Sequence, residues 1–234
     1  MSEKRLRGPA LIPRNIIFAF ITIGCLSANS PATAESTDPV RFSVVGDTLY
    51  FNSSIPDETT TSTDIAHTDD EMIGAMIMDA PNVTKIWISS TGGSLLPALA
   101  IARTIEKFKL DTEVTDVCIS ACTLVFVAGR HRALGRGALL SFHRPTRIAE
   151  GFFKLTKAVK AREGPIDDFE FIADAYKDGI DRGLEIMRLF VRHGIDPRFA
   201  LKVISTPYDR VWNPTRVELV AGGVLQSGTM GAAK

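Results

Sequence analysis

The stretch from Val83 to Val117 admits few folds. Val83 to Ile88 is a short apolar run that ends at Ser89-Ser90-Thr91-Gly92-Gly93-Ser94. Leu95, Leu96, Leu99, Ala100 and Ile105 then recur at helical spacing, which predicts a helix to about Lys107. Thr112 to Val117 returns as a strand. Two strands joined by a helix of this length form a parallel crossover, so the chain reads as α/β with a parallel sheet.

A second strand-to-helix junction follows at Val117-Cys118-Ile119-Ser120-Ala121-Cys122-Thr123-Leu124-Val125-Phe126. Beyond it, Leu139-Leu140-Ser141-Phe142-His143 is a strand-like run ending in a histidine. Each feature has a plain structural reading. Gly92-Gly93 is a tight turn, Ser120 is a helix N-cap, and His143 closes a strand. Taken together, a hydroxyl, an imidazole and a glycine-lined turn are the parts of an acyl-transfer site.

Upstream, Val40 to Val45 alternates, Gly46-Asp47 turns and Thr48 to Phe51 continues, which is a hairpin pattern. Pro56 to Asp64 reads as a mobile loop and Glu71 to Met78 as a helix. Downstream, residues 151–161 read as a short amphipathic helix and Asp167 to His193 as a long one. The apolar stripe Ile172, Tyr176, Ile180, Leu184, Met187 and Val191 is its core face, and Gly194 closes it. Asp196-Pro197 starts another helix through Ile204. His67, His193 and the basic run Arg130, His131, Arg132 and Arg136 read as solvated.

The 234 residues carry 27 basic and 27 acidic side chains, so no nucleic-acid footprint is present. Lys4, Arg5, Arg7 and Arg14, an apolar run from Ile16 to Ser27, and Ala32-Thr33-Ala34 describe a signal peptide cleaved after Ala34. A periplasmic or secreted protein is therefore expected. Membrane contact is expected only through an uncleaved N-terminus or residues 151–161. Of three cysteines, Cys118 and Cys122 remain after cleavage, either as a disulfide or as packed thiols. Two cysteines without nearby partners predict no metal site, and no cofactor is expected.

The combination of Thr91-Gly92-Gly93, Ala100-Ile101-Ala102, Ser120 to Gly129, and His143-Arg144-Pro145 resembles the Clp protease proteolytic subunit and its relatives in the Clp protease/crotonase-like superfamily. It looks most like the exported Clp-like branch, over about residues 40 to 226. The resemblance implies repeated β-β-α units with a C-terminal helical lobe. The expected divisions are residues 1–34 signal peptide, 35–145 core, 146–204 helical lobe and 205–234 return segment and tail. It implies Ser120 as nucleophile, His143 as general base, and the N–H groups of Gly93 and Ala121 as oxyanion-hole donors. It also implies a homo-oligomer.

No aspartate stands where the family places its third catalytic residue, which falls here at Ser205 or Thr206. Three alternatives follow. Asp209 reaches His143 from the next loop, a backbone carbonyl or Ser205 orients the imidazole, or the site is inactive. The expected function is an exported serine hydrolase, a peptidase acting on a peptide or protein substrate. The alternatives are an inactive Clp-like interaction scaffold and a crotonase-type acyl-thioester enzyme; export argues against the last.

Overall fold

The computed structural model describes residues 39–145 and 168–226. The expected signal peptide, the helix at 151–161 and the end of the tail lie outside them. The described residues form a mixed α/β body with a mostly parallel sheet. Strand β1 (Phe42–Val45) turns at Gly46 into β2 (Thr48–Asn52), the predicted hairpin. Helix α1 (Asp69–Asp79) leads to β3 (Lys85–Ser89), and α2 (Leu95–Phe108) leads to β4 (Asp111–Val114). Strand β5 (Val117–Ile119), helix α3 (Cys122–Val127), strand β6 (Arg132–Leu134) and strand β7 (Leu139–Ser141) complete the sheets. Helices α4 (Asp168–Arg192), α5 (Pro197–Ser205) and α6 (Arg216–Ala221) follow.

Five strands lie in the order β1-β2-β3-β4-β6, and β5 pairs with β7 in a separate two-stranded sheet. Among the described strands, only β1 with β2 pairs antiparallel, and an isolated antiparallel bridge joins Phe142 to Trp212. The crossover unit read from the sequence is present, with one correction. Thr112 to Val117 is not one strand, because the chain breaks at Thr115-Asp116 and its two halves join different sheets. The end of β3 makes the same transfer, since Ser90 bridges Cys118 through Ser90 N–H to Val117 O and Ile119 N–H to Ser90 O, both 3.0 Å.

Burial of Ile86, Ile88, Ala98, Ile101, Ile105, Val125 and Phe126 builds the core between the sheet and α1 to α3. Three expectations about side chains are corrected. On α4, Tyr176, Ile180, Leu184 and Val191 are exposed, and the face that packs on the body carries Ile186, Leu189 and Phe190. Arg132 is buried rather than solvated. Its guanidinium donates to the carbonyls of Val224, Val127, Gly129 and Gly223, and burial pushes its pKa down to about 10. His193 is half-buried, with its Nε2 2.8 Å from Glu106 Oε1.

The loop expected to be mobile is pinned by a residue that sequence reasoning passed over. Arg41 and Asp69 form an ion pair whose side chains have no exposure. The Arg41 guanidinium also donates to the carbonyls of Ser53, Ile55, Ser62 and Asp64. A buried charge is tolerated only when its hydrogen-bonding capacity is filled in this way. One side chain thus gathers the loop between β2 and α1.

Candidate active site

Two turns meet at the C-terminal ends of β3 and β5. Ser120 closes β5 with φ +57°. A non-glycine residue in the left-handed region is strained by about 1–3 kcal/mol and persists only where its surroundings impose it. Here the surroundings are visible. Ser120 N–H donates to Ser141 O at 2.9 Å, and Ser120 O accepts from Thr123 N–H at 3.0 Å and from Thr123 Oγ1 at 2.6 Å. Cys118 and Cys122 form a disulfide around the turn, with Cα atoms 5.3 Å apart. This resolves the open choice between a bridge and free thiols.

The glycine pair packs directly on this turn. A Cβ at Gly92 would lie 2.8 Å from Ile119 O, 2.8 Å from Ser120 Cβ and 3.3 Å from Ala121 N. A Cβ at Gly93 would lie 2.5 Å from Ile65 N. Each glycine lets a different backbone come close, so the pair is sandwiched between the serine turn and Ile65. The clamp on the far side is two main-chain bonds, Ile65 N–H to Gly92 O at 2.6 Å and Ser94 N–H to Ile65 O at 2.9 Å. Ser90 Oγ, itself bonded to Ser53 Oγ at 2.6 Å, accepts from Gly92 N–H at 3.1 Å. The N–H groups of Gly93 and Ala121 donate to no acceptor among the described residues. They are the two expected oxyanion-hole donors.

The register of β5 with β7 sets Ile119 opposite Ser141, which carries Phe142 alongside Ser120 and His143 one residue beyond. Three main-chain bonds flank His143, two before it and one after it. Phe142 exchanges both N–H···O bonds with Trp212, at 2.9 and 2.8 Å, and Arg144 N–H donates to Thr206 O at 2.9 Å. The rings of Phe142, Phe199 and Trp212 cluster beneath, with centroids 4.6 to 6.1 Å apart. Ser141 Oγ donates to Asn213 Oδ1 at 2.6 Å. The return segment from Thr206 to Asn213 is therefore the far wall behind the histidine.

His143 is half-buried, and its Nδ1 lies 2.8 Å from Arg144 O. A carbonyl can only accept, so the neutral ring carries its proton on Nδ1 and leaves Nε2 unprotonated. That is the second of the three alternatives for the orienting group. Asp209 is exposed and makes no hydrogen bond to His143. Thr206 does come beside the histidine, but through its carbonyl to Arg144 rather than as an acid. No hydrogen bond joins Ser120 Oγ to His143 among the described residues. Ser120, Ala121 and the glycine pair are thus brought together, His143 follows the neighbouring strand one residue beyond the level of Ser120, and Asp209 does not bond it. No group of three or more candidate metal ligands occurs among the described residues.

Sequence reasoning missed Arg41, Asp69, Trp212 and Asn213. Nothing local marks the first two, since an arginine in a hairpin and an aspartate before a helix are ordinary surface residues. No protein-family model matches the chain, and no curated protein shows significant similarity to it.

Proposed function

We propose that the protein is an exported serine hydrolase, a peptidase of Clp protease/crotonase-like fold. One observation carries this: the left-handed Ser120 turn packed against Gly92, with the free N–H groups of Gly93 and Ala121 beside it. Strain of this kind at a hydroxyl has a use in catalysis and none in a plain helix cap. Nε2 of His143 takes the Ser120 proton as Oγ attacks the scissile carbonyl. The N–H groups of Gly93 and Ala121 receive the oxyanion, and the imidazolium returns its proton to the leaving amine. Water, deprotonated by the same nitrogen, then frees the acyl group. Arg144 O does the orienting work that a carboxylate does in a full triad, without its charge. Stabilisation of the imidazolium is correspondingly smaller. The Cys118–Cys122 disulfide supports export, because such bridges persist in oxidising compartments. The same bridge speaks against an acyl-thioester enzyme, whose coenzyme A is cytoplasmic.

The test is covalent labelling of the purified protein by a fluorophosphonate. Labelling is expected to vanish in Ser120→Ala and to slow by about 10²–10⁴-fold in His143→Ala. The missing carboxylate favours a second reading, the inactive Clp-like scaffold. No labelling of the wild type anywhere between about pH 6 and 9, bracketing an ordinary histidine, would establish that reading instead.

A further inference from the structure

Ser120 stands at the centre of a closed covalent ring. Cys118 is the middle residue of β5, Cys122 is the first residue of α3, and their bond encloses Ile119, Ser120 and Ala121. Both cysteines have no exposure. A buried bridge four residues long does little to tie distant parts of a fold together, because the loop it closes is so short. What it does restrict is the backbone inside the loop, and that is where the strained residue lies.

The other restraints on Ser120 are non-covalent contacts. They are one bond to Ser141 O, the Thr123 bonds to its carbonyl, and the approach of Gly92. All of them are non-covalent, so each can be given up without breaking a bond of the chain. The cystine adds the one covalent limit, holding the Cα atoms of residues 118 and 122 at 5.3 Å across the three residues of the turn.

We propose that the Cys118–Cys122 cystine is the positioning device of the nucleophile, so that the hydrolase is competent only when this bridge is closed. This rests on Ser120 being the nucleophile. With the bridge open, Ser120 relaxes, Oγ leaves the line of attack, and Ala121 N–H turns away from Gly93. Opening requires a dithiol reductant. Two electrons and two protons pass to the S–S bond, giving two thiols, and the reductant closes to its own disulfide. Reoxidation by oxidised glutathione reverses the exchange. A chain made in a reducing compartment would thus be held inactive until it reaches an oxidising one.

The experiment compares wild type before reduction, after dithiothreitol treatment and after reoxidation, alongside Cys118→Ala/Cys122→Ala. Three quantities are read: far-UV circular dichroism, fluorophosphonate labelling rate, and amide hydrogen exchange at Ser120. The reduced protein and the double variant should keep the wild-type spectrum but label about 100-fold more slowly, the scale expected for a misplacement of about 1 Å. The Ser120 amide, protected by Ser141 O in the oxidised form, should exchange faster. Reoxidation should restore both. An unchanged labelling rate overturns the proposal. So does loss of the circular dichroism spectrum in both reduced forms, which would make the bridge a staple for the whole fold. If the oxidised protein does not label at all, hydrolysis is refuted separately, and the exchange rate still decides. Equal Ser120 protection with the bridge open and closed would end the positioning role.

Discussion

At Gly92 the site depends on the absence of one carbon atom. Gly92→Ala would place Cβ 2.8 Å from both Ile119 O and Ser120 Cβ, at a φ of +112° that alanine rarely adopts. The expected result is destabilisation of about 1–3 kcal/mol in urea melts, with fluorophosphonate labelling lost beyond what that destabilisation explains. Asp209 predicts the opposite. Its side chain is exposed and does not bond His143, so Asp209→Asn should change the labelling rate by no more than about twofold, as for an isolated surface substitution. A large drop would mean that the loop carries Asp209 to the imidazole during turnover. Sequence counting could find that the acid was missing at Ser205 or Thr206. It could not find Arg144 O, because any residue has a carbonyl and only the path of the chain selects one.

Among the elements, the loop between β2 and α1 decides whether the glycine turn is held. Arg41 gathers four of its carbonyls with Asp69, and Ile65 at the loop's end clamps Gly92 and Ser94. Arg41→Met leaves Asp69 buried and unpaired, at a cost of about 3–5 kcal/mol. Adding Asp69→Leu should recover much of that stability by urea melts. Labelling should stay slow in the double variant, because the loop carbonyls still lack their donor. Recovery of both together would mean that the loop does not govern the oxyanion turn. The junction of α4 with α2 gives a pH dependence. His193 faces Glu106, Arg132 and Arg192, and burial pushes its pKa below 6.5, against the hydrogen bond to Glu106. The unfolded imidazole therefore binds a proton first as pH falls. The stability contribution is complete above about pH 6.5 and is lost as pH drops through the lower folded value. Thermal melts from pH 8 to 5 should show this decline, and it should flatten in His193→Phe.

For the whole molecule, the homo-oligomer implied by the resemblance would need an uncovered apolar face. Tyr176, Ile180 and Leu184 make an exposed stripe on α4, with Tyr176 72 % exposed. Sequence periodicity identified these apolar residues but assigned them to the core. A helix buries the face that its neighbours cover, and here α4 packs on α3 and α5 with Ile186, Leu189 and Phe190 buried. Ile180→Glu/Leu184→Glu should lower the mass measured by sedimentation without changing the circular dichroism spectrum. A wild type that sediments as a monomer would show that this stripe joins no second copy of the chain.

The sequence by itself determined the parallel crossover, the two strand-to-helix turns and which hydroxyl and imidazole follow them. These depend on apolar spacing and on glycine, which act within a few residues. Only the tertiary structure decided that Thr112 to Val117 splits between two sheets, that Arg41 and Asp69 are buried together, and that His143 takes its partner from the main chain. Those outcomes join residues far apart in the chain or use groups common to every residue, so no local pattern encodes them. The two thiols could be seen in the sequence, but whether they met depended on the sharp turn of the chain at Ser120.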